Sequence, residues 1–144
     1  MTRTTEEKFV EALHTTSHNW GIALDRRLRP LGFSRSKWLI LLHLSREDGM
    51  IHSALAERIG IEAATLVRLI DKMEIEGIVI RNTSETDRRI KHLHLTPAGI
   101  ETAKRVKAQA IDLRKKLLSE IDPQQLEITL NTLSLIRKKL ESTS

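Results

Sequence analysis

Leu55-Ala56-Glu57-Arg58-Ile59-Gly60-Ile61-Glu62-Ala63-Ala64-Thr65-Leu66-Val67-Arg68-Leu69 is the stretch on which the fold turns. Its spacing is that of a helix-turn-helix. Two helices that cross steeply need a small residue at their approach, and Ala56 supplies it. The tight turn between them needs a residue that tolerates positive φ, and Gly60 stands four positions on. Leu55, Ile59, Ile61, Leu66 and Leu69 are placed to fill the shared core. Together with a hairpin downstream, these agreements separate the stretch from a plain helical corner in an unrelated bundle.

Reading outward, a short helix is predicted over about His52–Ile59 and a second over about Glu62–Glu76. In the second, Leu66, Leu69, Ile70 and Met73 repeat at the i, i+3, i+4, i+7 interval of one buried face. Gly77 stands where a left-handed residue ends a helix. The texture then changes. Ile78-Val79-Ile80 and Ile90-Lys91-His92-Leu93-His94-Leu95 are β-branched or alternating, and a polar run from Thr83 to Arg89 lies between them. That is a hairpin with a charged tip. Asp87-Arg88-Arg89 puts two guanidinium groups on the tip, which suits the focused negative potential of a narrow DNA minor groove.

Upstream, helical spacing covers about Thr5–Leu28, ending at Pro30 and Gly32, and then Arg35–Arg46 behind Ser34 as N-cap. Downstream, Thr96-Pro97 pairs an N-cap with a proline at the first helical position and opens a long helix to about Glu120. Asp122-Pro123-Gln124-Gln125 has the form of a capping box before a last helix to about Leu140. The predicted class is mainly α with a small β-hairpin wing, in the order helix, helix, helix, helix, hairpin, helix, helix.

At 144 residues the chain has room for one domain with a real core. It has no apolar run near the roughly 18 residues of a membrane span, and its first residues lack a hydrophobic signal core, so a cytoplasmic protein is expected. The absence of cysteine excludes disulfides, thiolate metal sites and thiol-based redox sensing. Net charge is +5, which points to an anionic partner, yet residues 50–100 hold seven Lys/Arg against seven Asp/Glu. Placement of charge therefore matters more than its sum.

Residues Gly60–Gly77, Asp87–Lys91 and Leu93–Gly99 resemble the DNA-binding lobe of MarR-type regulators. The pieces Trp20–Asp25, Arg27–Leu31 and Trp38 resemble the SlyA branch. The resemblance spans about Phe9–Leu140 and implies a homodimer. In it, residues 1–32 and 97–144 would form a helical dimerisation region and residues 33–96 a winged helix-turn-helix lobe. It implies that Thr65 and Arg68 meet base edges in the major groove, where an arginine can bond a guanine bidentately. Ala63 and Ala64 would allow close approach at the helix N-terminus. One of Arg88 and Arg89 would enter the minor groove, with Asp87 holding one arginine in place. The partner implied is a pseudopalindromic double-stranded DNA with half-sites roughly 10 bp apart. Ile51 departs from the pattern where many relatives carry a Ser or Thr N-cap, and Ala64 where close ones carry proline.

Trp20, Trp38 and His43 are candidates to line a pocket for a small aromatic carboxylate, the ligand class that the resemblance implies, against the simpler reading of both tryptophans as core. His14 and His18, one turn apart beside Glu11, have the spacing of half a zinc site. A polar or interface face is the preferred reading, and no metal or cofactor is assigned. His92 and His94 read as solvated or near phosphate. No nucleophile–base pair, carboxylate pair or glycine-rich phosphate loop points to an enzyme. The rival class is a winged-helix adaptor that binds another protein.

Overall fold

The computed structural model describes residues 1–143. These fall into two compact units, residues 1–111 and residues 112–143. The elements in chain order are α1 (Thr5–Leu28), a 3₁₀ turn (Arg29–Leu31), α2 (Arg35–Arg46), β1 (Met50–Ile51), α3 (His52–Ile59) and α4 (Ala63–Ile75). They continue with β2 (Val79–Thr83), β3 (Lys91–Leu95), α5 (Pro97–Leu118) and α6 (Pro123–Thr143). The mainly helical class with a small antiparallel sheet is as the sequence predicts.

Local chemistry explains the boundaries. The hydroxyl of Thr4 accepts from the Glu7 amide while the Glu7 carboxylate accepts from the Thr4 amide, a complete capping box. Ser34 Oγ accepts from the Lys37 amide and starts α2. Gly60 and Gly77 sit at φ +79° and +78°, the left-handed conformation that a Cβ disfavours. The α3–α4 corner thus forms as predicted, with Ala56 buried at the crossing.

The sheet differs from the expected hairpin by one strand. Met50–Ile51 pairs antiparallel with β3, giving the order β1-β3-β2 with β3 in the centre. This also answers the missing cap at Ile51. Its backbone is extended (φ −84°, ψ 158°) with no side-chain cap, because it leaves a strand before α3 begins. The hairpin strands are shifted too. β2 runs through Asn82 and Thr83, which pair with His92 and Lys91, so the polar tip is only residues 84–90. His92 and His94 are half-buried instead of solvated. Their Nδ1 atoms contact the Gly49 carbonyl at 2.8 Å and Asp48 Oδ1 at 3.0 Å, tying β3 to the turn before β1.

Within Met1–Ile111 one core joins Leu28, Trp38, Ile40, Leu41, Leu44, Leu55, Leu66, Ile70, Met73, Val79, Leu93 and Val106. Each fully buried Leu or Ile contributes about 1.5–3 kcal/mol relative to an exposed one. Leu28 and Val106 belong to this core, so its edges reach into the segments that flank residues 33–96. The N-terminal two-thirds of α1 is exposed, including Phe9, Val10 and Leu13. In the second unit Asp122 Oδ1 accepts from the Gln124 amide at 2.9 Å, starting α6, which buries no residue and exposes Leu130, Leu135 and Leu140. Among the described residues no helix is long and apolar enough to cross a membrane.

Candidate nucleic-acid interface

The inward face of α4 is Leu66, Ile70 and Met73, all fully buried. Helical geometry therefore turns Ala63, Ala64, Val67, Arg68, Asp71 and Lys72 outward, with Thr65 half-buried at the edge. Arg68 Nη2 donates to Thr65 Oγ1 at 3.3 Å, so the two candidate base-reading groups are joined on one turn. A shallow cleft of about 360 Å³ beside them is lined by Thr65, Arg68, Leu69, Asp71 and Lys72. The helix opens on two alanines without a side-chain cap, leaving its first amides open. Glu62, at the cap position, is exposed there.

The tip of the wing is organised by its own side chains. Ser84 Oγ accepts from the amides of Thr86 and Asp87 at 3.3 and 3.4 Å. Asp87 Oδ1 accepts from the Arg89 amide at 3.0 Å, and its two oxygens accept from Arg89 Nε and Nη2, each at 3.2 Å. These bonds from the Arg89 side chain, then from its amide, hold the Asp87 carboxyl below the usual carboxylate range. Arg89 is still 91% exposed at its side chain. Asp87 thus fixes the direction of Arg89, a choice between two arginines that the sequence leaves open. Arg88 is exposed and has no ion pair among the described residues.

Pairing resolves the cancelled charge of residues 50–100. Arg58 meets Glu47 at 2.7 Å, Lys37 meets Glu76 at 2.7 Å, and Arg81 meets Asp71 and Glu74 at 2.5 and 3.3 Å. Glu47, Asp71, Glu74 and Glu76 are thereby occupied. Arg68, Lys72, Arg88 and Lys91 keep exposed cations without an ion pair among the described residues. They lie on α4 and the wing, so the face shared by these elements is more basic than the local sum implies.

Among the candidates Trp20, Trp38 and His43, Trp38 lines a cavity. Trp38 borders a space of about 460 Å³ with Leu42, Leu95, Ile100 and Ala103, and with Arg46, Lys104 and Lys107 among its polar wall. Trp20 and His43 are half-buried elsewhere. His43 is shifted below the ordinary histidine value by burial and by the charges of Arg46 and Arg58. The three cations of the wall escape sequence reasoning, because periodicity shows that Ile100, Ala103 and Lys107 share a face but not that α2 faces it. His14 and His18 are exposed, and no group of three or more metal-ligating side chains occurs among the described residues.

Residues 33–91 match the family model for the MarR family. The chain is similar to the transcriptional regulator PA3341, with 38% identity over 93% of this chain and 98% of that one and a TM-score of 0.83. It is also similar to a MarR transcriptional regulator from Methanosarcina mazei Go1, with 26% identity over 96% and 99% of the two chains and a TM-score of 0.82. FabT from Streptococcus pneumoniae, solved in complex with DNA, shares the fold at 19% identity, with coverage of 96% and 99% and a TM-score of 0.84.

Proposed function

Because the chain belongs to the MarR family, we propose that it is a homodimeric transcription regulator of the SlyA-like branch that binds specific double-stranded DNA. The observation that carries this reading is a two-point grip on one lobe. Thr65 and Arg68 are joined on the open face of α4, and Arg89 is aimed outward from the wing by Asp87. The first point suits base edges in the major groove, with Ala63 and Ala64 allowing close approach. The second suits the minor groove, which needs charge and shape but no base pattern. In this reading Arg89 enters the groove, because its direction is already set, and Arg88 meets phosphate.

A dimer is supported by apolar side chains left open on α1 and on α6, such as Phe9, Leu13, Leu130 and Leu135. Residues 1–32 and 97–144 would supply the dimerisation helices and residues 33–96 the lobe. Two lobes related by a twofold axis would read a pseudopalindrome with half-sites roughly 10 bp apart. A small aromatic carboxylate is the proposed effector. The cavity beside Trp38 offers a planar apolar wall, and Arg46, Lys104 and Lys107 offer partners for the carboxylate. Such a ligand acts only through a difference in affinity between two lobe spacings.

The test is selection from a randomised duplex pool, read by fluorescence anisotropy at low and moderate salt with sequencing of the retained DNA. Enrichment of one pseudopalindrome with a steep salt dependence supports the reading. Salt-sensitive binding without enrichment would leave an architectural role, and no binding at low salt would favour a protein adaptor.

A further inference from the structure

Arg81 lies on β2, three residues before the tip of the wing begins, and its side chain is only 15% exposed. Its guanidinium gathers groups from two helices. Nη2 donates to Asp71 Oδ1 at 2.5 Å and to the Val67 carbonyl at 3.5 Å, and Nη1 donates to Glu74 Oε1 at 3.3 Å, all on α4. Nε donates to His52 Nε2 at 3.4 Å, at the first residue of α3. One planar fork therefore joins the wing to both helices of the helix-turn-helix. A lysine, with one point charge, has no equivalent reach.

From this geometry we infer that Arg81 is a positioning residue that sets the wing against α4, and that His52 is its neutral acceptor, so that acidification loosens the wing and weakens DNA binding. The inference rests on the DNA-binding reading above. A histidine accepts through Nε2 only while that nitrogen is unprotonated. The charged groups that face His52 are Arg81 on β2, Lys91 on β3 and Asp71 on α4. Burial first, then Arg81 and Lys91, hold it below the ordinary histidine value of 6.5, and Asp71 opposes them. His92, beside Ile51 across the β1–β3 pair, has its Nδ1 at the Gly49 carbonyl.

The sign follows from linkage. A histidine depressed in the folded lobe takes up its proton more readily when the lobe opens. Its contribution is intact above the unfolded value and is lost as pH falls from there through the folded value. A second cation then stands beside Arg81, and the Nε bond cannot form. Of the three groups around His52, only Asp71 favours the charged ring, and it is already engaged by Arg81.

The experiment uses the whole chain and three variants, Arg81→Lys, Asp71→Asn and His52→Gln. Glutamine keeps an acceptor and does not titrate. In the free protein, amide hydrogen exchange at constant pH should accelerate across residues 81–95 in Arg81→Lys, and less so in Asp71→Asn. The latter removes the carboxylate charge at an exposed site and keeps an amide oxygen as acceptor. Unchanged exchange in both overturns the positioning role, whether or not DNA binds. On a duplex retained from the pool, Arg81→Lys should bind roughly tenfold more weakly, the loss of about one charge-assisted hydrogen bond. It should lose minor-groove protection at the wing while major-groove protection persists. Uniform loss of both would mean that Arg81 only stabilises the lobe. Between about pH 7.5 and about pH 5.5 the affinity of the parent should fall more than that of His52→Gln. Parallel pH profiles, or a parent that tightens on acidification, would overturn the role of His52. Failure of the parent to bind any duplex would count against the DNA reading alone, since the exchange data stand apart from it.

Discussion

Gly99→Ala sets two opposite expectations against each other. Gly99 lies in the first turn of α5, where replacing glycine by alanine ordinarily stabilises a helix by about 1 kcal/mol. Here a Cβ would stand 2.1 Å from the carbonyl oxygen of Ile78 and 3.0 Å from its carbonyl carbon. Neither neighbour is free to move. The Ile78 carbonyl accepts from the Thr96 amide at 3.1 Å, and the Ile78 amide donates to the Met73 carbonyl at 3.0 Å. Thr96 Oγ1 donates to the Gly77 carbonyl at 2.6 Å and accepts from the Gly99 amide at 3.0 Å. Relief needs a separation of about 1 Å between α5 and the start of β2, which breaks one or two of these bonds at about 1 kcal/mol each. Overpacking strain adds about 1–3 kcal/mol. After subtracting the helix gain, the net loss is about 1–4 kcal/mol. With a urea slope of about 2 kcal/mol per molar for a chain of this size, the midpoint should fall by about 0.5–2 M. Parent and variant must be compared at one protein concentration, because the proposed dimer would stabilise the folded chain by mass action. An unchanged or raised midpoint would refute the reasoning. Gly60→Ala is the control. It meets nothing within 4 Å but must hold φ at +79°, so it should lose about 1 kcal/mol from backbone conformation alone.

Arg68→Ala should cut affinity for the selected duplex by about tenfold or more while non-specific binding changes little, and equal losses on both would mean that Arg68 touches only backbone. Arg89→Ala should weaken binding more than Arg88→Ala, since Asp87 aims only Arg89, and Asp87→Asn should lower the affinity only where Arg89 is present. A double-mutant cycle by anisotropy measures that coupling, and additive losses would remove the orienting role. Glu62→Gln removes an exposed negative charge from the end of α4 that would face phosphate, so affinity should rise roughly two- to fivefold at low salt, with the gain fading as salt is added. A drop in affinity would place Glu62 in the contact itself.

The parts of the fold legible in the sequence are those fixed by local chemistry. Ser34, Gly60, Gly77 and Thr96-Pro97 each settle a boundary within a turn or two, and the periodicity of Leu66, Ile70 and Met73 selects the buried face of α4. β1 was not legible, because two residues show no alternation and the pairing partner Leu93 lies far along the chain. Neither was the role of Arg81, whose partners His52, Asp71 and Glu74 come from other elements. The candidate site divides along the same line. Thr65 with Arg68 and Asp87 with Arg89 are short-range pairs that spacing can suggest, although only side-chain geometry tells Arg89 from Arg88. The cavity is long-range. Helical spacing cannot say that Trp38 and Lys104 line one cavity, because periodicity gives a stripe but not its neighbour.

The central place of β3 has a consequence for how such a protein can change. Both flanks of β3 are committed, one to β2 and the other to Met50–Ile51, and Leu93 at its middle is fully buried. The strand pair of the wing is therefore anchored at its root, while residues 84–90 hang from it with their own internal bonds. Residues can be added to or removed from that tip without disturbing register below it. The lobe thus keeps its scaffold and its tip as separable parts, so a tip of other length or sequence can be exchanged without rebuilding the sheet beneath it.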